Sequence, residues 1–219
     1  MSVEQKRVEE AVEKAKLTAK RRFSQSMDLL VTLKGVDIKK SAGKLGDIFE
    51  LPNPPGKDVN VCVIGSGQMI LEAKKFGVET LQREELEALG KDKKTARKLA
   101  KKFDFFVSEA PLMPTVGKTL GSFLGPRGKM PTPIAPNTPI GPVIERHKRL
   151  IRIRVKDQPV IQCRVGTEEM PSPRVAENVT HVITRFAEKL DQGIKNMRAI
   201  YVKTTMGSPV NVALGEKRK

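Results

Sequence analysis

A chain of 219 residues is long enough for one or two domains with a substantial core. Its 41 Lys and Arg outnumber 25 Asp and Glu, a formal charge of +16, and a field of that size draws polyanions, of which nucleic acid is the commonest. No apolar run approaches the roughly 20 residues of a membrane-spanning helix, no basic helix carries large apolar residues opposite its charges, and the charged start Met1-Ser2-Val3-Glu4-Gln5-Lys6 is unlike a signal peptide. These features argue against a membrane partner.

Residues 4–22 mix acids and bases over a helical spacing of Val8, Val12, Ala15 and Ala19, continued by Phe23, so an amphipathic first helix is expected. Leu29, Val31 and Leu33 alternate with polar neighbours as a half-buried strand ending at Gly35, and Leu45 to Leu51 reads as a second strand. Pro52-Asn53-Pro54-Pro55-Gly56-Lys57 then breaks regular structure and marks a boundary.

Beyond it the texture changes. Val59 to Ile64 is a continuous apolar strand of the kind buried on both faces, and Gly65-Ser66-Gly67 opens a helix to Phe76. A dinucleotide-binding turn would need its third glycine at position 70, which is Ile, and no clear second strand follows with an acid; a tight strand-to-helix turn is expected instead. Leu81–Leu89 and Lys93–Lys102 read as helices, the second a solvated basic face, followed by a buried strand from Phe103 to Ser108. Pro111 to Pro114 reads as a loop, with a short helix around Val116–Leu124.

The stretch Gly117 to Pro131 holds four glycines, two prolines, three basic residues and no acid. Gly125-Pro126-Arg127-Gly128 must turn, leaving accessible amides beside Lys118, Arg127 and Lys129, which suits a phosphate-rich partner or an ordinary surface loop of a basic protein. Gly117-Lys118-Thr119 does not make a triphosphate-binding loop, because the required earlier glycine falls on Leu112 and Pro114 interrupts the frame. Thr132 to Pro139 reads as loop, with Thr138 capping a helix to Lys148.

The first texture then returns. Leu150, Ile151, Ile153 and Val155 alternate with Arg152, Arg154 and Lys156, giving a strand with one basic face, which is expected to form a hairpin with Val160–Val165. Ser172 is expected to cap a helix with the clearest apolar stripe in the chain, Val175, Val179, Val182, Ile183, Phe186, Ala187 and Leu190. Strands follow at Ala199–Thr204 and Val210–Leu214, and the tail 216–219 is expected to fray. Neither flank buries much alone. Together, 1–58 and 150–219 predict an α+β split domain of two helices on an antiparallel sheet, with 59–149 an inserted α/β, Rossmann-like three-layer domain and a hinge at the two crossings.

Catalytic machinery is not evident. Cys62 and Cys163 each lie within an apolar run, which suits buried, reduced thiols and the cytosol. His147 and His181 are far apart with no ligand spacing, so neither a metal nor a cofactor is expected. One Tyr and no Trp leave few platforms for stacking bases. An α/β enzyme using Gly65–Gly67 and Lys118 on a phosphorylated substrate is the alternative, but it lacks a nucleophile–base pair. A DNA-architectural protein would need a wedge or a dimerising helix, and neither is visible.

Two segments carry a resemblance. Leu120-Gly121-Ser122-Phe123-Leu124-Gly125-Pro126-Arg127-Gly128-Lys129-Met130-Pro131 and, some 75 residues on, Tyr201-Val202-Lys203-Thr204-Thr205-Met206-Gly207-Ser208-Pro209 resemble the family of the large-subunit ribosomal stalk protein numbered one, and the Pro111-Leu112-Met113-Pro114 lead-in with the compact length resembles its archaeal branch. Bacterial members often read Gly-Pro-Ser where this chain has Gly207-Ser208-Pro209, which bears on local turn shape. The resemblance implies a split two-domain fold, direct binding to large-subunit rRNA at the mobile stalk near the tRNA exit site, and repression through the protein's own operon mRNA. It also implies a ribosomal, cytoplasmic location, with exit-site tRNA as a partner and a monomer when free. By position it implies RNA contact at Thr205, Met206, Gly207, Phe23 and Glu13, with secondary contact at Lys118, Arg127, Gly128 and Lys129.

The residue chemistry is compatible. A glycine admits a close ribose–phosphate edge, a methionine can lie in the shallow minor groove, and a carboxylate can accept from 2′-hydroxyls. Lys203, Lys20, Arg22, Arg152 and Arg154 would position phosphates without reading sequence. Other readings stay open: Met206 as core, Phe23 as the end of the first helix's apolar face, and Glu13 as a partner for a lysine one turn away.

Overall fold

The computed structural model describes residues 5–18, 21–36, 47–56, 59–136, 138–153, 155 and 158–212. It is a mixed α/β protein, with three sheets among the described residues. Backbone contacts divide the chain into two compact units, Met1–Lys57 with Arg149–Lys219, and Asp58–Lys148.

The first unit starts with α1 (Gln5–Leu17), which buries Val8, Ala11, Val12 and Ala15 along one stripe. Here expectation and structure differ. The helix stops at Leu17, and Thr18 folds back to donate from its amide and hydroxyl to the Ala15 carbonyl, so Phe23 lies beyond the stripe and is not part of it. Strand β1 (Ser26–Leu33) strictly alternates buried and half-buried residues. It is flanked by β8 (Val160–Thr167) and β9 (Met197–Thr204), with β10 (Val210–Val212) at the edge, giving the antiparallel order β10-β9-β1-β8. The long helix α7 (Ser172–Lys189) buries Val175, Val179, Val182, Ile183 and Phe186. Each such side chain contributes roughly 1.5–3 kcal/mol when fully buried. The helix begins at the residue expected to cap it: Ser172 is its first residue, and Pro171 holds the cap position.

Among the described residues the expected hairpin is not formed. Strand β7 (Leu150–Ile153) pairs with β2 (Asp47–Glu50), and β8 pairs with β1 in an eight-residue alternation that buries one face along its whole length. The short β2–β7 pair adds Phe49, Ile151 and Ile153 to the same core, with Phe49 packed 4.9 Å from Phe186 between ring centres. Residues 45–46, 213–214 and the tail 216–219 lie outside the described residues.

The second unit is a parallel sheet in the order β4-β3-β5-β6: β3 (Val61–Ile64), β4 (Glu79–Leu81), β5 (Phe105–Glu109) and β6 (Thr132–Ile134). Helices α3 (Arg83–Lys91), α4 (Lys93–Lys102) and α5 (Met113–Leu124) cover the face carrying Cys62, Ile64 and Phe106. Helices α2 (Gly67–Lys75) and α6 (Ile140–Lys148) cover Val61, Val63 and Val107, completing three layers. The three-residue strands β4 and β6 are the elements that pattern reading missed. Pro111 and Pro114 are not in a loop: they sit in the first turns of consecutive helices, where the missing N–H has no partner to lose.

Both cysteines are buried, and burial pushes each thiol up to about 12. Neither should react with a maleimide at neutral pH until the chain unfolds, so labelling in increasing urea should follow the global unfolding curve.

Candidate nucleic-acid interface

One end of the four-stranded sheet gathers most of the expected site. β1 begins, and β8 and β9 end, in register there: Ser26 stands opposite Thr167, and Met27 opposite Thr204. β9 leaves the sheet through a turn closed by Gly207 N–H donating to the Thr204 carbonyl (3.1 Å). Thr205 and Met206 are its two central residues and are exposed, Met206 to 56%. An apolar thioether held in solvent at a turn tip is not core.

Gly207 plays a different part from the one expected of it. It is buried, its φ is not positive, and a Cβ there would stand 2.5 Å from the Thr18 hydroxyl and inside contact with that of Thr204. The glycine is needed for close packing against the end of α1, so it shapes the turn from behind.

The turn is fastened to the segment before β1. Thr205 donates to the Ser26 carbonyl from its amide (3.0 Å) and hydroxyl (3.3 Å), and the Met206 amide donates to Gln25 Oε1 (3.1 Å). Gln25 is fully buried, and its Nε2 donates to Glu168 Oε2 at 3.1 Å, while the Glu168 amide donates to the Gln25 carbonyl at 2.9 Å. Lys16 donates to the Met170 carbonyl; burial holds its ammonium below the usual range, with the Glu13 and Glu168 carboxylates opposing. Glu13 is therefore exposed on α1 within electrostatic reach of this cluster. Phe23, 53% exposed, and Arg22, also exposed, lie on the segment that leads into Gln25. Sequence reading missed Leu17, which is 77% exposed at the end of α1, and missed Gln25 and Glu168. An exposed leucine at a helix end was the only available signal, since polar residues 143 positions apart show no periodicity.

Lys203 lies on the sheet face opposite the helices. There Asp28 is in register with Arg164 on one side and Lys203 on the other. Burial raises the Asp28 carboxyl above its usual range, and the two cations counter this only in part. A folded-state rise means that Asp28 adds stability only below its unfolded value and that this is lost as pH climbs. Asp28→Asn should therefore raise the melting temperature at pH 7 and change it little near pH 3. Arg152 is half-buried on β7, facing away from Ile151 and Ile153, and so apart from the turn cluster by its strand. Lys20 and Arg154 lie outside the described residues.

In the second unit Lys118 is exposed on α5, and Gly128 takes a positive φ of 66° in the loop after it. Arg127 is half-buried. Lys129 is held inward, donating to the Phe103 carbonyl and lying 3.9 Å from Asp104, so it fastens the loop and is a poor phosphate contact. The glycine turn after β3 already holds an anion of its own: Glu109, almost fully buried, accepts from the Ser66 amide at 3.0 Å and from its hydroxyl at 2.8 Å. A carboxylate in the place a substrate phosphate would need weighs against the enzyme reading. Among the described residues no cluster of His, Cys, Asp or Glu could hold a metal ion.

A sequence profile of the ribosomal protein L1p/L10e family matches residues 13–208. The chain belongs to this family. Relatives carrying the description large ribosomal subunit protein uL1 include that of Thermofilum pendens, 46% identical over 216 residues (97% of this chain, 95% of the relative). That of Pyrococcus horikoshii is 43% identical over 214 residues (97% and 98%), and that of Methanothermobacter thermautotrophicus 41% over 210 residues (95% and 99%). The family match spans the turn, Phe23, Glu13 and the 117–131 stretch alike.

Proposed function

We propose that this chain is a structural protein of the large ribosomal subunit, not an enzyme, which binds rRNA through the exposed turn at Thr205 and Met206. The observation that carries this reading is the turn itself. Two exposed residues are held by hydrogen bonds from their amides to Ser26 and Gln25, at a sheet end approached by the segment that carries Phe23 and Arg22. Exposed apolar groups beside cations suit the wide, shallow minor groove of folded RNA, where shape and 2′-hydroxyls are read.

In this reading residues 1–58 and 150–219 form the discontinuous RNA-binding domain, and 59–149 the insert. The ribosomal stalk near the tRNA exit site is the working place, release of deacylated tRNA the task, and the protein's own operon mRNA a second ligand that the same turn would hold in repression. The protein acts in the cytoplasm and is a monomer when free.

A titration across salt tests it. An rRNA junction fragment should bind far more tightly than duplex DNA, and Met206→Ala should cost more junction affinity than neutralising any single lysine. Equal affinity for the two nucleic acids, or nucleotide-dependent thermal stabilisation with no RNA preference, would overturn it.

A further inference from the structure

Helix α4 is at odds with its own charge. Its ten residues hold six cations and no acid. Lys93 and Arg97, Lys94 and Lys98, Arg97 and Lys101, and Lys98 and Lys102 each stand four apart, where like charges cost a few tenths of a kcal/mol per pair. Lys93 and Lys94 also occupy the first turn, the positive end of the helix dipole, where cations are disfavoured. Other helices avoid this: α3 pairs Arg83 with Glu87 and opens on Glu84 and Glu85, and α7 pairs Arg185 with Glu188. Among the described residues Lys102 of α4 is ion-paired, with Glu79, and the charge of Lys98 acts on the Asp92 carboxylate. Asp92 is committed to the cap, accepting from the Lys94 and Thr95 amides. Among the described residues no ion pair serves Lys93, Lys94, Arg97, Lys98 or Lys101, and all five are exposed.

Packing keeps that face open. The helix enters the core through Ala96 and Ala100, with Leu99 partly buried. A second observation extends the surface: Lys129 donates to the carbonyl of Phe103, the residue that closes α4, and so holds the loop carrying Arg127 against the helix's C-terminal end.

We propose that α4 is a second phosphate-binding surface, which grips an RNA backbone without reading its sequence. Row 93/97/101 sets three cations along about 12 Å of helix, with Lys94 and Lys98 beside it, and a polyphosphate backbone needs only such a row of positive charge. A lipid surface does not fit, because the cationic side carries no large apolar residue to enter a bilayer. The inference rests on the RNA reading above but uses different residues.

The test uses the full chain with Lys94→Gln, Arg97→Gln, Lys98→Gln and Lys101→Gln together, against a control with Lys6, Lys74, Lys75 and Lys148 changed to Gln. Glutamine forms helix as well as lysine, and repulsion is removed, so the α4 variant should melt at or above wild type. On a mixed-sequence RNA duplex its slope of log affinity against log salt should become shallower by about 2–4, close to 0.9 per lost contact. Its affinity should fall roughly ten- to a hundredfold, while preference for an rRNA junction persists and the control changes little. Equal effects from the two variants, an unchanged slope, a lower melting temperature, or a loss seen only with phosphatidylserine vesicles or polyglutamate would overturn the proposal. Met206→Ala separates the two readings: it should remove the junction preference and leave the slope. If preference survived that change while the α4 variant behaved as stated, the turn would be the wrong site and α4 the right one.

Discussion

Gly207→Ala should destabilise the unit that contains it by about 1–3 kcal/mol, the usual cost of overpacking a filled site, and should weaken binding to an rRNA junction roughly tenfold or more. The reason is spatial. The added methyl has no room between the Thr18 and Thr204 hydroxyls. Thr18 is exposed and can turn aside, but Thr204 is fully buried and β-branched, so the turn must move instead. Movement there displaces Thr205 and Met206 together, which couples stability to RNA affinity. Thr204 Oγ1 has no hydrogen-bond partner among the described residues, so removing it forfeits no bond seen there. The double variant Gly207→Ala with Thr204→Ala should therefore recover most of both losses, a coupling that denaturant melts and RNA titrations on all four forms would measure. If Gly207→Ala alone matched wild type in both assays, close packing would not be what this glycine serves.

The second large effect is expected at Gln25. Gln25→Ala leaves the Met206 amide and the Glu168 carboxylate each without a partner they now have, at a cost of about 1–3 kcal/mol. Gln25→Glu should be worse at neutral pH, since it sets a second carboxylate where an amide now stands 3.1 Å from Glu168. Two such carboxylates share a proton, and one of them titrates above its unfolded value near 4. A raised folded value adds stability only below the unfolded one and loses it as pH rises. The variant should thus come closest to wild type near pH 4 and fall progressively behind toward pH 7. Urea melts at a series of pH values would read this directly, and a gap that did not change with pH would mean that Gln25 and Glu168 do not meet. Junction affinity should follow the same pH curve if the Gln25 clamp orients the turn.

Much of this is legible in the sequence, for identifiable reasons. The α7 stripe repeats an apolar residue every three or four positions over more than four turns, and β1 alternates without error, so each pattern admits one reading. Elements of three residues, β4 and β6, are too short to show a period. The end of α1 was misread because Ala19 and Phe23 continue its spacing, whereas Thr18 breaks it by turning its hydroxyl onto Ala15. Nearness in sequence suggests a β7–β8 pair, whereas the sheets join strands of equal length, β7 with β2 and β8 with β1. At the site, Thr205 and Met206 could be found from a motif. What holds them could not: Gln25 and Glu168 are polar, buried and remote in sequence, and the service of Gly207 to the packing behind the turn is a matter of crowding in three dimensions.

Strand β1 lies between β8 and β9, so residues 26–33 find both neighbours only in chain made more than 120 residues later. During synthesis the stretch 58–148 can finish its own core while the earlier strand still waits with its apolar side uncovered. The strand translated among the first is thus seated among the last, and a ribosome that stops short of residue 204 releases a chain in which β1 has no complete β9 beside it.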